Sequence, residues 1–107
     1  EQLYATVEAV GGKGNVDGEF PGWAFRQESK LRDVMISSYE ELYGVKPFVS
    51  TIHAGLECGL FLGKNPDLDC VSFGPALSDV HSPKESMDIA SVERSYNYLL
   101  RILKNCK

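Results

Sequence analysis

Several kinds of protein are excluded by what this sequence lacks. Its 107 residues contain two histidines and three cysteines (Cys58, Cys70 and Cys106), with no C-x-x-C pair. The spacing of a zinc finger is therefore absent, and an odd number of cysteines argues against a disulfide framework, so we expect reduced and mostly buried thiols. No apolar run approaches the roughly 18 residues that a transmembrane helix requires, so we expect no membrane-spanning segment.

The charge balance of the chain is mildly acidic. Its 11 Lys and Arg residues stand against 15 Asp and Glu residues, which gives a net charge of −4. Such a chain has no electrostatic footprint for nucleic acid or for an anionic membrane, and we expect neither as a partner. Its 43% hydrophobic and 24% charged residues are ordinary for a globular protein, and its length allows one domain.

Helical patterns are clearest in two parts of the chain. Residues 28–43 place apolar side chains on one stripe and stop before Gly44, which suits a left-handed helix terminus. A final helix begins at Asp88 or Ser91, since either side chain can accept the first helical N–H groups. Its apolar stripe consists of Val92, Tyr96, Leu99 and Leu103. A shorter helix is predicted over 56–63.

Runs of β-forming residues alternate with these helices. Residues 48–52 predict a buried strand, 68–73 form a second β-rich run, and 16–20 predict a short edge strand. This alternation predicts an α/β fold, with three layers and a largely parallel sheet flanked by helices. In such a sheet, binding sites lie beyond the carboxyl ends of the strands, where the segments 53–57 and 74–86 follow.

Both histidines of the chain lie in those two segments. His81 is followed by Pro83 and by Glu85, two and four residues further on. A neutral imidazole is a common ligand of transition metals, and a nearby carboxylate can orient its second ring nitrogen. Spacing alone leaves His81 either as a metal-binding or catalytic group or as an ordinary surface residue, because a zinc site needs three or four ligands.

The first of the two segments offers further candidates. His53 comes shortly before Gly55, whose small size lets another group approach the backbone, but His53 also fits a histidine that packs a turn. Glu57, in the first helical turn, is favoured by the helix dipole without any function, while the N–H groups beside it suit a substrate carboxylate. Cys58 would be a nucleophile only with a base partner. Asp69 is read as a solvated turn residue.

Four strings in the chain are more specific than any spacing rule. They are DGEFPGW (17–23), IHAGLECGLF (52–61), PDLDCVSFGP (66–75) and VHSPKESMDIASV (80–92). The last three closely resemble the C-terminal end of aminoacyl-histidine (Xaa-His) dipeptidases, and the first also resembles them. These enzymes belong to the two-zinc exopeptidases, with the carnosinases, tripeptidases and carboxypeptidases. The resemblance covers nearly the whole chain, and its motifs agree in order and spacing.

The resemblance implies a mechanism and a set of site residues. Members of that family are intracellular, often cytosolic, often dimeric enzymes that remove an N-terminal residue from a small peptide. Two zinc ions share a bridging Asp and a bridging water or hydroxide, a Glu acts as general base, and the metals polarise the scissile carbonyl. The H-S-P-x-E motif makes His81 the last metal ligand and Glu85 its supporting residue. His53, Gly55 and Glu57 then lie in the substrate pocket or behind the metal ligands.

The other metal ligands of that family are missing from this sequence. It has no H-x-D motif, and its one Glu-Glu pair, Glu40–Glu41, fits a solvated face of the helix over 28–43. We therefore expect a C-terminal fragment, in which 1–24 end a lid domain and return to the catalytic domain and 25–107 form the C-terminal part of the catalytic domain. The general base is expected upstream, so no catalytic residue is assigned here. The isolated piece is predicted to be inactive, to bind zinc weakly and to self-associate.

Two alternatives remain open at this point. A non-catalytic α/β module for binding or dimerisation, with a peptidase-like sequence, would also explain the missing ligands. A thiol enzyme that uses Cys58 with His53 or His81 is a weaker alternative, since no base partner is established. The coding sequence upstream of Glu1 discriminates between the dipeptidase fragment and the module, because a long open frame with H-x-D and Glu-Glu favours the enzyme and a nearby start codon favours the module.

Overall fold

The computed structural model describes all 107 residues and contains four helices and one small sheet. The elements follow each other along the chain as α1 (Gln2–Ala9), α2 (Lys30–Tyr43), α3 (Glu57–Lys64), β1 (Leu77–Ser78), β2 (Ser86–Met87) and α4 (Ile89–Asn105). The three helices predicted over 28–43, 56–63 and after residue 88 are all present, and both ends of the first two lie within two residues of the prediction. None of the four helices is long and apolar enough to cross a membrane.

The ends of α2 and α4 follow from local chemistry. Ser29 has extended backbone and its hydroxyl accepts the N–H of Arg32, so α2 begins after Ser29 rather than at residue 28. Gly44 ends α2 in the left-handed conformation, with φ of 71°, as its position predicted. Of the two residues proposed to cap the last helix, Asp88 is the cap, because its carboxylate accepts the N–H groups of Ala90 and Ser91.

Helices α2 and α4 pack against each other and hold the only buried apolar cluster. Met35 of α2 and Tyr98 and Ile102 of α4 form this cluster. The Tyr98 hydroxyl donates to the carbonyl oxygen of Met35 at 2.8 Å, which satisfies a buried polar group across the interface. The ring of Phe73 meets the Tyr98 ring edge to face, with centroids 5.1 Å apart, so the segment 68–73 lies against this helix pair.

The predicted apolar stripe of the last helix does not face this core. Val92, Tyr96, Leu99 and Leu103 are exposed, and α4 buries Ser91, Tyr98 and Ile102 instead. The apolar stripe that the spacing indicates is therefore not the face that this chain buries. The physical reason is that α4 carries apolar side chains on two faces, and its contacts within this chain cover one of them.

The predicted three-layer, largely parallel sheet is not confirmed. The sheet has two strands, β1 and β2, which pair antiparallel with Leu77 opposite Met87 and Ser78 opposite Ser86. The segments 16–20, 48–52 and 68–73 form no strand in the structure. Strands exist through hydrogen bonds to a neighbour, and a β-forming composition alone does not supply that neighbour.

The chain is more open than an independent domain of its length. Its radius of gyration is 18.6 Å, whereas a compact domain of this length has about 13 Å. Only 7 of the 107 residues are buried, and large apolar side chains such as Phe48 stay 93% exposed. A groove of about 900 Å³ runs between α2 and the segments 48–52 and 68–73. Much apolar surface is thus left uncovered by the chain's own contacts.

Candidate functional site

His81 lies at the end of a short hairpin formed by β1, β2 and the residues between them. The base of the hairpin is closed where the Asp88 N–H donates to the Ala76 carbonyl oxygen at 3.0 Å. The buried Ser91 hydroxyl accepts the Ala76 N–H at 2.8 Å and donates to the Asp88 carbonyl oxygen at 2.6 Å. The first turn of α4 therefore holds the hairpin in place.

Two consecutive turns connect the strands of this hairpin. The Ser82 N–H donates to the Asp79 carbonyl oxygen at 3.1 Å, and the Glu85 N–H donates to the Ser82 carbonyl oxygen at 3.1 Å. The Ser82 hydroxyl also accepts the Lys84 N–H at 3.1 Å. His81 has a φ of 64° and Asp79 a φ of 52°, a left-handed region that residues other than glycine seldom adopt. Each turn is therefore fixed by hydrogen bonds within the loop.

Glu85 touches His81 in a way that the sequence did not indicate. Its carboxylate oxygen Oε2 accepts the main-chain N–H of His81 at 2.8 Å, whereas spacing had suggested a contact with the imidazole ring. The His81 side chain is exposed, not packed inward, which leaves the ring accessible to a ligand.

The segment with His53 is organised by packing against the residues before α2. A Cβ atom on Gly55 would lie 3.3 Å from the Phe20 ring, and one on Gly59 would lie 2.5 Å from the Pro21 carbonyl oxygen. The small residues of this segment thus admit a close neighbour, as Gly55 had suggested, and that neighbour is the string that contains Phe20 and Pro21. His53 itself is exposed.

Helix α3 begins with the two other candidates of this segment. Glu57 lies in its first turn, where the helix dipole favours a carboxylate, and no side chain caps the N–H groups there. Burial raises the pKa of the Cys58 thiol, and the neighbouring Cys70 thiol raises it further. A raised pKa reduces the thiolate fraction, so this environment weighs against Cys58 as a nucleophile.

Asp69 has a structural role that the sequence analysis missed. Its carboxylate accepts the Ser29 hydroxyl at 2.7 Å and the Leu31 N–H at 3.0 Å, so it joins the segment 68–73 to the start of α2. Partial burial would raise the pKa of Asp69, but the hydrogen bonds from Leu31 and Ser29, together with the nearby charges of Arg26 and Arg32, outweigh burial and lower it. The interpretation of Asp69 as a solvated turn residue was wrong. A sequence signal for this contact across 40 residues is absent, because only the tertiary fold joins the two segments.

The candidate residues do not converge on one centre. No three His, Cys, Asp or Glu side chains of the chain lie close enough together to hold a metal ion. His81 and Glu85 share the hairpin, while His53, Gly55 and Glu57 share the segment that leads into α3. Ile52, Ala54 and Leu56, which surround His53 and Gly55 in sequence, line the apolar groove.

The family, sequence and structure comparisons all match this chain to peptidases. Residues 8–105 match the model of peptidase family M20/M25/M40. The chain is 38% identical over 102 residues to the cytosol non-specific dipeptidase of Escherichia coli (strain K12), which covers 95% of this chain and 21% of that protein. The crystal structure of aminoacylhistidine dipeptidase from Vibrio alginolyticus superposes with a TM-score of 0.74 and 37% identity, over 96% of this chain and 21% of that one. The chain thus spans about a fifth of the length of these relatives.

Proposed function

Because the chain belongs to peptidase family M20/M25/M40, we propose that it is the C-terminal part of a zinc-dependent dipeptidase that hydrolyses Xaa-His-type dipeptides. The observation that carries the proposal is the exposed imidazole of His81 on a hairpin whose loop is fixed by its own hydrogen bonds. A residue held in an uncommon backbone conformation, as His81 is, is typical of a functional position.

The donor atoms of the chain fit one ligand of a metal site and no more. His81 would be that ligand, and its neutral imidazole suits zinc. A catalytic zinc needs three protein ligands, and no group of three His, Cys, Asp or Glu side chains that could hold a metal ion forms around His81 in this chain. The other ligands and the general base would therefore come from polypeptide beyond this chain. Two zinc ions per complete enzyme would supply an activated water and polarise the peptide carbonyl.

The segment before α3 is proposed to belong to the substrate pocket. Gly55 lets the chain pass close to Phe20, and the uncapped N–H groups at the start of α3 suit the carboxylate of a small peptide. Glu57 lies on the same turn, and its negative charge would repel a bound anion and so limit anion binding there. His53 would contribute a hydrogen bond to the substrate.

In the complete protein, the rest of the polypeptide is proposed to supply the neighbouring strands and the apolar surface that this chain lacks. Segments 48–52 and 68–73 would become strands of a three-layer, largely parallel sheet, with residues 1–24 returning from a lid domain and 25–107 in the catalytic domain. The open groove and the exposed stripe of α4 support this, because both leave apolar surface that an independent domain would cover. We place the enzyme in the cytoplasm as a homodimer, in keeping with the implied family.

The proposal is tested by two alanine substitutions in the full-length protein that carries this chain. His81→Ala is expected to remove one of two zinc ions and lower kcat by about 100-fold or more, because Lewis-acid stabilisation is worth several kcal/mol. His53→Ala should keep both metals and raise KM by about tenfold, the effect of one lost hydrogen bond. Metal content by atomic emission and turnover of an Xaa-His dipeptide are the measurements. Full activity with two metals in His81→Ala would contradict the proposal.

A non-catalytic binding or dimerisation module is the second candidate, and the scattered candidate residues favour it. The 107-residue chain alone is expected to have no peptidase activity under either proposal. Activity of the purified chain that a chelator abolishes would contradict both the second candidate and the assignment of the remaining ligands to other polypeptide.

A further inference from the structure

The loop of the hairpin places a histidine where glycine or asparagine is the usual residue. Asp79 and Ser82 close a four-residue turn, and within it His81 is the third residue, with φ of 64°. A positive φ at that position is the signature of a type II turn, in which the third residue is normally Gly or Asn because a side chain crowds the backbone there. A positive φ is unfavourable for any residue with a Cβ atom, so a contact that stabilises this conformation is expected.

The Glu85 carboxylate provides that stabilisation. The hydrogen bond that closes the turn uses the Ser82 N–H and leaves the His81 N–H without a partner in the turn. Oε2 of Glu85 accepts this N–H at 2.8 Å, a charge-assisted hydrogen bond. The main chain of Glu85 is itself held by the second turn, in which its N–H donates to the Ser82 carbonyl oxygen. Because the main chain of Glu85 is held by this turn, its carboxylate is positioned to form the hydrogen bond with the His81 N–H.

We propose that Glu85 is a positioning residue, which acts on His81 through the main chain and holds the left-handed backbone from which the imidazole projects. The inference rests on the proposed function, in which that imidazole binds zinc. This role differs from that of a carboxylate that accepts a hydrogen bond from the imidazole ring and so orients or polarises it. Glu85 instead accepts a hydrogen bond from the main-chain N–H of His81. A neutral amide oxygen at the same place can accept the same N–H in a weaker hydrogen bond, so the proposal requires an acceptor oxygen at that reach and does not require its negative charge.

The experiment compares substitutions of Glu85 in the full-length protein. Glu85→Gln keeps an acceptor oxygen, Glu85→Ala removes it, and Lys84→Ala is the matched control in the same loop. Zinc affinity is measured by competition with a chelator. The main-chain amide resonance of His81 is measured in metal-free protein labelled with ¹⁵N-histidine and assigned through its loss in His81→Asn. The second measurement needs neither activity nor metal.

Glu85→Ala is expected to weaken the binding of one zinc by about 10- to 100-fold and to move the His81 amide resonance upfield. Glu85→Gln should bind zinc within about threefold of the parent and keep the resonance near its place, and Lys84→Ala should change neither. If Glu85→Ala does not fold, Glu85→Asp replaces it, because its shorter side chain keeps the charge but withdraws the acceptor, and the same losses are expected.

Three results would overturn the inference. The first is parental zinc affinity in Glu85→Ala, even if the resonance moves, since the hydrogen bond would then serve the loop alone. The second is an unmoved resonance in that variant. The third is Glu85→Gln as impaired as Glu85→Ala, since this would assign the role to charge. Failure of the proposed function is seen separately, because His81→Ala would then keep both metals whatever the Glu85 variants do.

Discussion

The two segments that carry the histidines are held in place by different forces. The segment with His53 is positioned by packing, since Phe20 and Pro21 lie against its glycines from more than 30 residues earlier in the chain. The hairpin with His81 is positioned by hydrogen bonds, nearly all among residues 76–91. The comparison teaches that a local motif suffices to shape the second loop, whereas the first depends on a distant part of the chain.

The packing of Phe20 and Pro21 against the segment with His53 is tested by adding a methyl group at Gly59 in α3. Gly59→Ala would place Cβ 2.5 Å from the Pro21 carbonyl oxygen, a main-chain atom that cannot move without its neighbours. We expect destabilisation of up to about 3 kcal/mol in the full-length protein, measured by urea unfolding. Gly63→Ala is the matched control, since it meets only ordinary contacts at 3.6 Å or more and gains helix propensity. Equal stability of the two variants would show that Pro21 does not pack there.

The hydrogen bonds that position the hairpin with His81 are tested at its base, where Ser91 contacts Ala76. Ser91→Ala removes the acceptor of the Ala76 N–H and leaves that group unpaired beside a buried position. We expect a loss of about 1–2 kcal/mol in stability and faster amide hydrogen exchange at Ala76. Ser95→Ala, one turn further along α4, is the control and should leave that exchange rate unchanged. The segment with His53 should be unaffected in both variants, and a change there would contradict the independence of the two loops.

A smaller effect is expected where the segment leading to the hairpin is joined to α2. The folded state lowers the pKa of Asp69, so its hydrogen bonds add stability above the pKa of the unfolded chain. That stability is lost as pH falls through the lower pKa of the folded state. Asp69→Asn should therefore cost about 1 kcal/mol or less at neutral pH, and the difference from the parent should shrink at pH values well below about 3.9. Urea unfolding at both pH values measures this difference in stability, and a pH-independent difference would contradict an ionised Asp69 at the start of α2.

The elements that could be predicted from the sequence are those whose causes are local. The bounds of α2 follow from Ser29 and Gly44, and the start of α4 follows from Asp88, because caps act within one helical turn. The location of both histidines in loops was also predicted. The contact between Glu85 and the His81 main chain was not, since spacing indicates which residues are neighbours but not which atoms meet.

The patterns that this chain does not confirm concern surfaces that need a partner. The stripe of Val92 and Tyr96 has the spacing of a buried face, yet it is exposed. The segments 48–52 and 68–73 have the composition of strands, yet form none here. Both patterns describe what a segment can pack against or pair with. Neither says whether that partner belongs to the same 107 residues.

The amino-acid sequence by itself determined helices α2, α3 and α4, the end of α2 at Gly44, the histidine-bearing loops and the family, because each rests on residues that are close together in the chain or on motifs that survive without a fold. The tertiary structure alone decided which face of α4 is buried, that Asp69 accepts hydrogen bonds at the start of α2 and that Glu85 binds the His81 main chain. These contacts depend on distances between segments, and a distance in space is not encoded by any short stretch of residues.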